Sequence, residues 1–156
     1  MDHVGGVVEM SASRGMPIEG PHQDDRFWIE LLRSQAQMMG FAPSAPFEPN
    51  RWLAECDEVA LGGLRFKVHH CPAPTPGHVM FFELVSNMAF VCDVLFKGSI
   101  GRTDFPRGDY ATLVRSIREK LWPLGDRVVI VPGHGPLSTF GEERLHNPFV
   151  ADSRKA

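Results

Sequence analysis

The middle of the chain is patterned as strands. Residues 58–61, 64–70, 78–85 and 88–91 are short runs rich in Val, Phe, Leu and Met. Turn residues separate them, with Gly62-Gly63 after the first and Ser86-Asn87 before the last. The last two runs predict a hairpin whose end delivers Asp93. Helical spacing dominates on either side. Residues 4–14 follow a helical period and stop at Gly15. Gly5 and Gly6 each cost such a helix about 1 kcal/mol, which makes sense if the backbone there must pass close to something. Residues 17–20 predict a short strand. Asp24 or Asp25 is placed to cap a helix running to about residue 39, with Phe27, Trp28, Leu31, Leu32, Met38 and Met39 on its apolar side.

Residues 41–50 hold three prolines and read as a loop. Residues 97–109 form a Gly- and Arg-rich loop. Asp109 then caps a helix to residue 121, with Leu113, Val114, Ile117 and Leu121 facing inward. Residues 127–132 form a buried strand leading to His134. Thr139-Phe140-Gly141-Glu142 is a capping-box pattern opening a last helix. Strands and helices mixed in this way predict a layered α/β protein, with one domain over 1–152 and a tail over 153–156.

Composition narrows the function classes. Hydrophobic content of 43% and charged content of 22% fit a soluble globular domain. A formal net charge of −3 offers no basic field, so nucleic acid is not an expected partner. No apolar run approaches a membrane span, and the first residues lack the layout of a signal peptide; a cytoplasmic protein with no membrane partner is expected. Cys56, Cys71 and Cys92 stand in no metal-binding spacing and read as reduced thiols.

Candidate chemistry gathers at element ends. Asp2 and His3 precede the first helix, Asp93 ends a strand, and His134 follows another in Pro132-Gly133-His134-Gly135-Pro136. Two carboxylates and two imidazoles make a plausible zinc set. Taken singly, each is more often a solvated terminus, a turn cap or a loop residue.

Three segments carry a resemblance: Cys71-Pro72-Ala73-Pro74-Thr75-Pro76-Gly77-His78, the run from Asp93 through Gly101-Arg102-Thr103-Asp104-Phe105-Pro106, and Pro132 to Pro136. Together with Gly141-Glu142-Glu143-Arg144-Leu145-His146-Asn147-Pro148-Phe149 they resemble the metallo-β-lactamase superfamily, and within it the short glyoxalase II-like hydrolases. The resemblance implies an αββα sandwich with two metal ions, usually zinc, at one edge between the sheets. The first ligand motif of that family is His-x-His-x-Asp-His. Asp2 and His3 match its last two positions, so the resemblance also implies an N-terminally truncated domain lacking the strands that lead into the motif.

Three departures follow. The two leading histidines are absent. The family's Cys-Pro-Gly-His-Thr-Pro-Gly-His stretch has Pro74 at its ligand position, and His78 aligns with the second histidine, which is not ordinarily a ligand. Cys92 stands where the family usually has Gly. By resemblance, site one keeps only a bridging oxygen of Asp93, whereas site two keeps Asp2, His3, Asp93 and His134. One zinc ion at site two is therefore the expected cofactor. Asp2 is also the expected catalytic residue, and Lys97 and Arg102 are placed to pair with a substrate carboxylate. His69 and His70 read as ordinary strand residues, and His22 and His146 as structural.

The implied activity is zinc-dependent hydrolysis of a small-molecule ester or thioester such as S-lactoylglutathione. The alternative is a catalytically impaired or inactive member with one metal site lost. Missing strands should also expose an apolar sheet edge and invite self-association.

Overall fold

A computed structural model describes residues 3–42 and 44–154. Its centre is a six-stranded sheet in the order β1-β2-β3-β4-β7-β8. The strands are β1 (Glu58–Leu61), β2 (Leu64–His70), β3 (Val79–Glu83), β4 (Met88–Cys92), β7 (Val129–Pro132) and β8 (Ser138–Thr139). β5 (Leu95–Phe96) and β6 (Ser99–Ile100) form a separate two-stranded ribbon. All neighbours run antiparallel except β4 and β7, which are parallel. That pairing sets the carboxyl ends of two adjacent strands side by side, the arrangement that positions ligands in open α/β sheets.

The register divides the sheet residues between two faces. Phe82 pairs with Ala89 and Ala89 with Ile130, so these three share a face. With Met80 and Val91 they join Leu113, Ile117, Leu121, Trp122 and Phe140 in the main core. The helical partners come from α4 (Tyr110–Ser116), a wider helical turn over Ile117–Leu121, and α5 (Phe140–His146). Asp109 accepts a hydrogen bond from the Thr112 amide at 2.7 Å, and Thr139 accepts one from Glu142 at 3.2 Å, so both predicted caps are formed.

The opposite face carries Leu64, Phe66, Phe81, Met88, Phe90, Val129 and Val131. Val59, Val68 and Val79 lie on the same face, and Leu53 packs over them and Phe81 to cover part of it. Phe66 and Phe90 meet edge to face at 5.8 Å between centroids, yet Phe90 is 36% and Leu64 48% exposed. The exposed apolar residues thus extend over a sheet face and are not confined to the edge strand.

The segment before the sheet departs most from expectation. α1 (Val7–Arg14) begins three residues later than predicted and ends at Gly15, whose φ of 63° is the left-handed conformation of a helix stop. In the 17–20 segment the strand pairing among the described residues is a single isolated bridge between Glu19 and Arg51. The long helix is two: α2 (Arg26–Glu30) and α3 (Leu32–Met39), broken at Leu31. Their buried residues are Ile29, Leu32 and Ala36, while Leu31 is 46% and Met38 87% exposed. Positions 29, 32 and 36 carry the burial, and the predicted methionines Met38 and Met39 stay exposed.

Candidate metal centre

The parallel ends of β4 and β7 bring Asp93 and His134 together. Between Phe90 and Cys92 the register slips, and Cys92 takes φ of 47°. A bulge of this kind re-aims the residues that follow it, and here the next residue is Asp93. Cys92 pays for the bend, because an L side chain is strained in the left-handed region where the resembling motif has glycine. The Gly133 amide donates to the Cys92 carbonyl at 2.8 Å and carries the pairing beyond the strands.

His3 arrives from the turn before α1. The Ser44 hydroxyl donates to the Gly5 carbonyl at 3.1 Å and holds that turn. His3 Nε2 lies 3.3 Å from Asp93 Oδ2, and His134 Nε2 lies 3.8 Å from Asp93 Oδ1. The two imidazoles meet edge-on, 5.5 Å between centroids. One ligand atom from each of His3, Asp93 and His134 lies within 4.8 Å of the others. The site is open on one side, with the His134 side chain 60% exposed. Asp2, the fourth predicted ligand and the predicted catalytic residue, lies outside the described residues.

The residues present fit a divalent ion. Asp93 Oδ1 is buried and accepts no hydrogen bond among the described residues. A buried carboxylate oxygen left so costs free energy unless a cation faces it. Two imidazoles and a carboxylate suit borderline transition metals. Gly133 keeps the space open: a Cβ there would come within 2.5 Å of Asp93 Oδ1 and 2.6 Å of His3 Cε1.

His78 and Pro74 flank the centre without joining it. His78 Nε2 lies 3.4 Å from the Val91 carbonyl, and burial pushes its pKa down to about 4, so the ring is neutral at physiological pH. Pro74 is buried, and its ring lies 3.2 Å from where a Cβ on Gly101 would be. That same Cβ would run into the Asp93 carbonyl oxygen at 1.9 Å, so Pro74 packs beside the Asp93 loop and brings no donor to it. Ala73, the residue before it, stands at a glycine position of the resembling motif and takes φ of 144°.

The two predicted substrate cations differ. Arg102 donates twice to Asp104 at 2.6 Å and lies over the Phe105 ring, 4.4 Å from its centroid. Its charge is already partnered. Lys97 is exposed on the β5–β6 turn. Buried Glu143 accepts the Gly98 amide at 2.8 Å, and the Asn147 side chain donates to the Ser99 carbonyl at 3.0 Å, so the turn under Lys97 is firmly held.

Sequence reading offered Asp25 as a helix cap and missed its role. It caps no helix through its side chain. Its carboxylate instead accepts the Thr75 hydroxyl at 2.6 Å and the Gly77 amide at 2.7 Å, tying the 75–78 loop to the N-terminal segment. Burial raises its pKa, against the lowering effect of those two bonds. The one signal for it was Gly77, where a Cβ would strike the Asp25 backbone at 2.5 Å. His69 faces Glu55 at 3.3 Å, and His70 reaches the Pro76 carbonyl at 2.7 Å; neither joins the Asp93 cluster, as expected. Cys56, Cys71 and Cys92 are free thiols, with burial raising Cys71 to about 12 and Cys92 to about 11.

Comparison with known proteins bears on the family and the fold. The description of the metallo-β-lactamase superfamily matches residues 1–134. Over 151 residues the chain is 46% identical to the hydroxyacylglutathione hydrolase GloC of Haemophilus influenzae, covering 96% of this chain and 71% of that protein. The structure is similar to TTHA1623 in its di-iron-bound form, with a TM-score of 0.84 and 36% identity over 94% of this chain and 71% of that one. It is equally similar to the BLEG-1 B3 metallo-β-lactamase, with a TM-score of 0.84 and 34% identity over 95% and 71%.

Proposed function

Because this chain belongs to the metallo-β-lactamase superfamily, we propose that it is a zinc-dependent hydrolase of a small thioester, of which S-lactoylglutathione is an example. The observation that carries this reading is the clustering of His3 and His134 around the Asp93 carboxylate, whose buried Oδ1 accepts no hydrogen bond among the described residues. A divalent ion held there would supply Lewis acidity, polarising a carbonyl and easing the ionisation of water near neutral pH. Zinc and iron both accept imidazole and carboxylate, and similarity to a di-iron-bound protein makes iron the competing metal.

The chain's own groups do the rest. His3, Asp93 and His134 would hold the ion, and the exposed side of His134 leaves room for a substrate carbonyl to approach it. Asp2, next to His3 in sequence, adds a carboxylate that can hold the ion and take a proton. Lys97, anchored through its turn by Glu143 and Asn147, attracts a substrate carboxylate. Arg102 can do so only by giving up part of its fork to Asp104, so Lys97 is the stronger of the two. Neutral His78 adds no positive charge beside the centre.

A second reading has its own observation. Pro74 is buried at a ligand position, and Ala73 before it is held at a glycine-like φ. These favour a chain that binds metal at the His3 centre yet turns over slowly or not at all. Thioester cleavage by zinc- and iron-loaded protein, with metal content measured on the same samples, separates the readings. Turnover lost in His134→Ala supports the hydrolase. Bound metal with no turnover supports the impaired member, and neither metal nor turnover refutes both.

A further inference from the structure

Helices α4 and α5 cover one face of the six-stranded sheet, and the second face is only partly covered among the described residues. Leu53 packs over Val68 and Val79. Elsewhere on that face Leu64 is 48% and Phe90 36% exposed, and Phe81, Met88, Val129 and Val131 are half-buried. We propose that this face is the interface of a homodimer, in which each copy covers the other's sheet.

The strand sequences call for a cover. A sheet with one face in water alternates apolar and polar residues. β4 instead reads Met88-Ala89-Phe90-Val91 and β7 reads Val129-Ile130-Val131, apolar at every position. Ala89, Val91 and Ile130 belong to the helical core, which leaves Met88, Phe90, Val129 and Val131 for the other side. The register gathers them: Phe90 lies opposite Phe81 and Val131, and Met88 lies opposite Val129. Uninterrupted apolar runs of this kind are characteristic of strands buried on both faces.

Charge, area and geometry select a second copy as the occupant. Among the strand residues that the register puts on this face there is no Lys or Arg. Its one carboxylate, Glu83, is turned onto the Val85 and Ser86 amides of the β3–β4 turn. Such a patch offers a charged partner nothing to pair with, yet it is complementary to itself, as a two-fold axis requires. A folded chain of 17.4 kDa is expected to expose about 7,900 Å². This one exposes 9090 Å². The surplus of about 1,200 Å² exceeds the roughly 800 Å² that each partner buries in a standard interface. Two sheets stack face to face about 10 Å apart with their strands within about 30° of each other, so two copies can form such a sandwich across the axis.

Sedimentation equilibrium of the full chain over a dilution series tests this, with circular dichroism confirming that each variant is folded. The expected species has twice the 17.4 kDa chain mass, in reversible exchange with monomer. Phe90→Lys sets an unpaired ammonium within the interface and should raise the dimer dissociation constant by about 100-fold or more. Leu64→Lys, at a more exposed position, should weaken the dimer in the same direction and serves if Phe90→Lys folds poorly. Met38→Lys, at an 87% exposed site on α3, should leave the dimer intact. A monomer throughout the series, the result if the face belongs to another occupant, would overturn the proposal. A dimer that both face variants leave unchanged, or open-ended aggregation in place of a closed dimer, would overturn it as well.

Discussion

The two regions that meet at the Asp93 centre are held by very different means. From β2 to α5 the chain is built around one core, and Val91, Leu113, Ile117, Leu121, Ile130 and Phe140 are fully buried. The segment from His3 to Gly15 contributes no buried residue through α1. Asp93 and His134 hang from the first region and His3 from the second. Local opening is cheap where few apolar contacts must break. The centre therefore has two fixed ligands and one whose position depends on a small number of polar ties.

The largest expected effect tests that contrast directly. Phe140→Ala should destabilise the fold by about 3–5 kcal/mol, whereas Met10→Ala should stay within about 0.5 kcal/mol. Denaturant midpoints at constant slope measure both, and equal losses would erase the distinction between the regions. Next is Asp25, which ties the 75–78 loop to the N-terminal segment. Asp25→Ala strands the Thr75 hydroxyl and the Gly77 amide and should cost about 1–3 kcal/mol, seen as a lower thermal midpoint; an unchanged midpoint would show the tie to be incidental.

Much of the core region was legible in the sequence. β1 and β2 match their predicted limits, both helix caps form, and Asp93 and His134 stand at strand ends as expected. Alternating burial and Asp or Thr caps are local signals, and these elements obey local rules. The N-terminal segment was read less well because tertiary packing decided it. Burial fell on Ile29, Leu32 and Ala36, and Met38 and Met39 stay exposed. The bulge at Cys92, the clearance at Gly133 and the reach of Asp25 arise between segments distant in sequence. Nothing in local pattern announces them, although the glycine that the resembling motif has in place of Cys92 does hint at the first.

Smaller effects sharpen the contrast from the solution side. His78 is half-buried, and desolvation pushes its pKa to about 4, below the ordinary value of 6.5. Between those values the unfolded chain takes up a proton that the folded one refuses. Stability should thus be full above about pH 6.5 and decline as pH falls toward 4. His69 and His70, both lowered chiefly by burial, act in the same direction. Denaturation midpoints that do not fall between pH 7.5 and 5 would contradict this. Gly133→Ala should weaken metal binding by about 10- to 100-fold while leaving the melting temperature nearly unchanged, since the atoms nearest its Cβ belong to Asp93 and His3. Finally, exposed Cys56 should react with a thiol reagent in the native protein well before Cys71 and Cys92; three equal rates would mean that the core region opens as readily as the surface.

The most direct measurement of the Asp93 centre is zinc binding at the rings of His3 and His134, compared between the unmodified chain and Asp93→Ala. A metal bridging the two regions predicts that both rings shift together in the unmodified chain and that neither does so at the same zinc concentration once Asp93 is gone. Rings that stay unmoved, or that respond equally without Asp93, would contradict it.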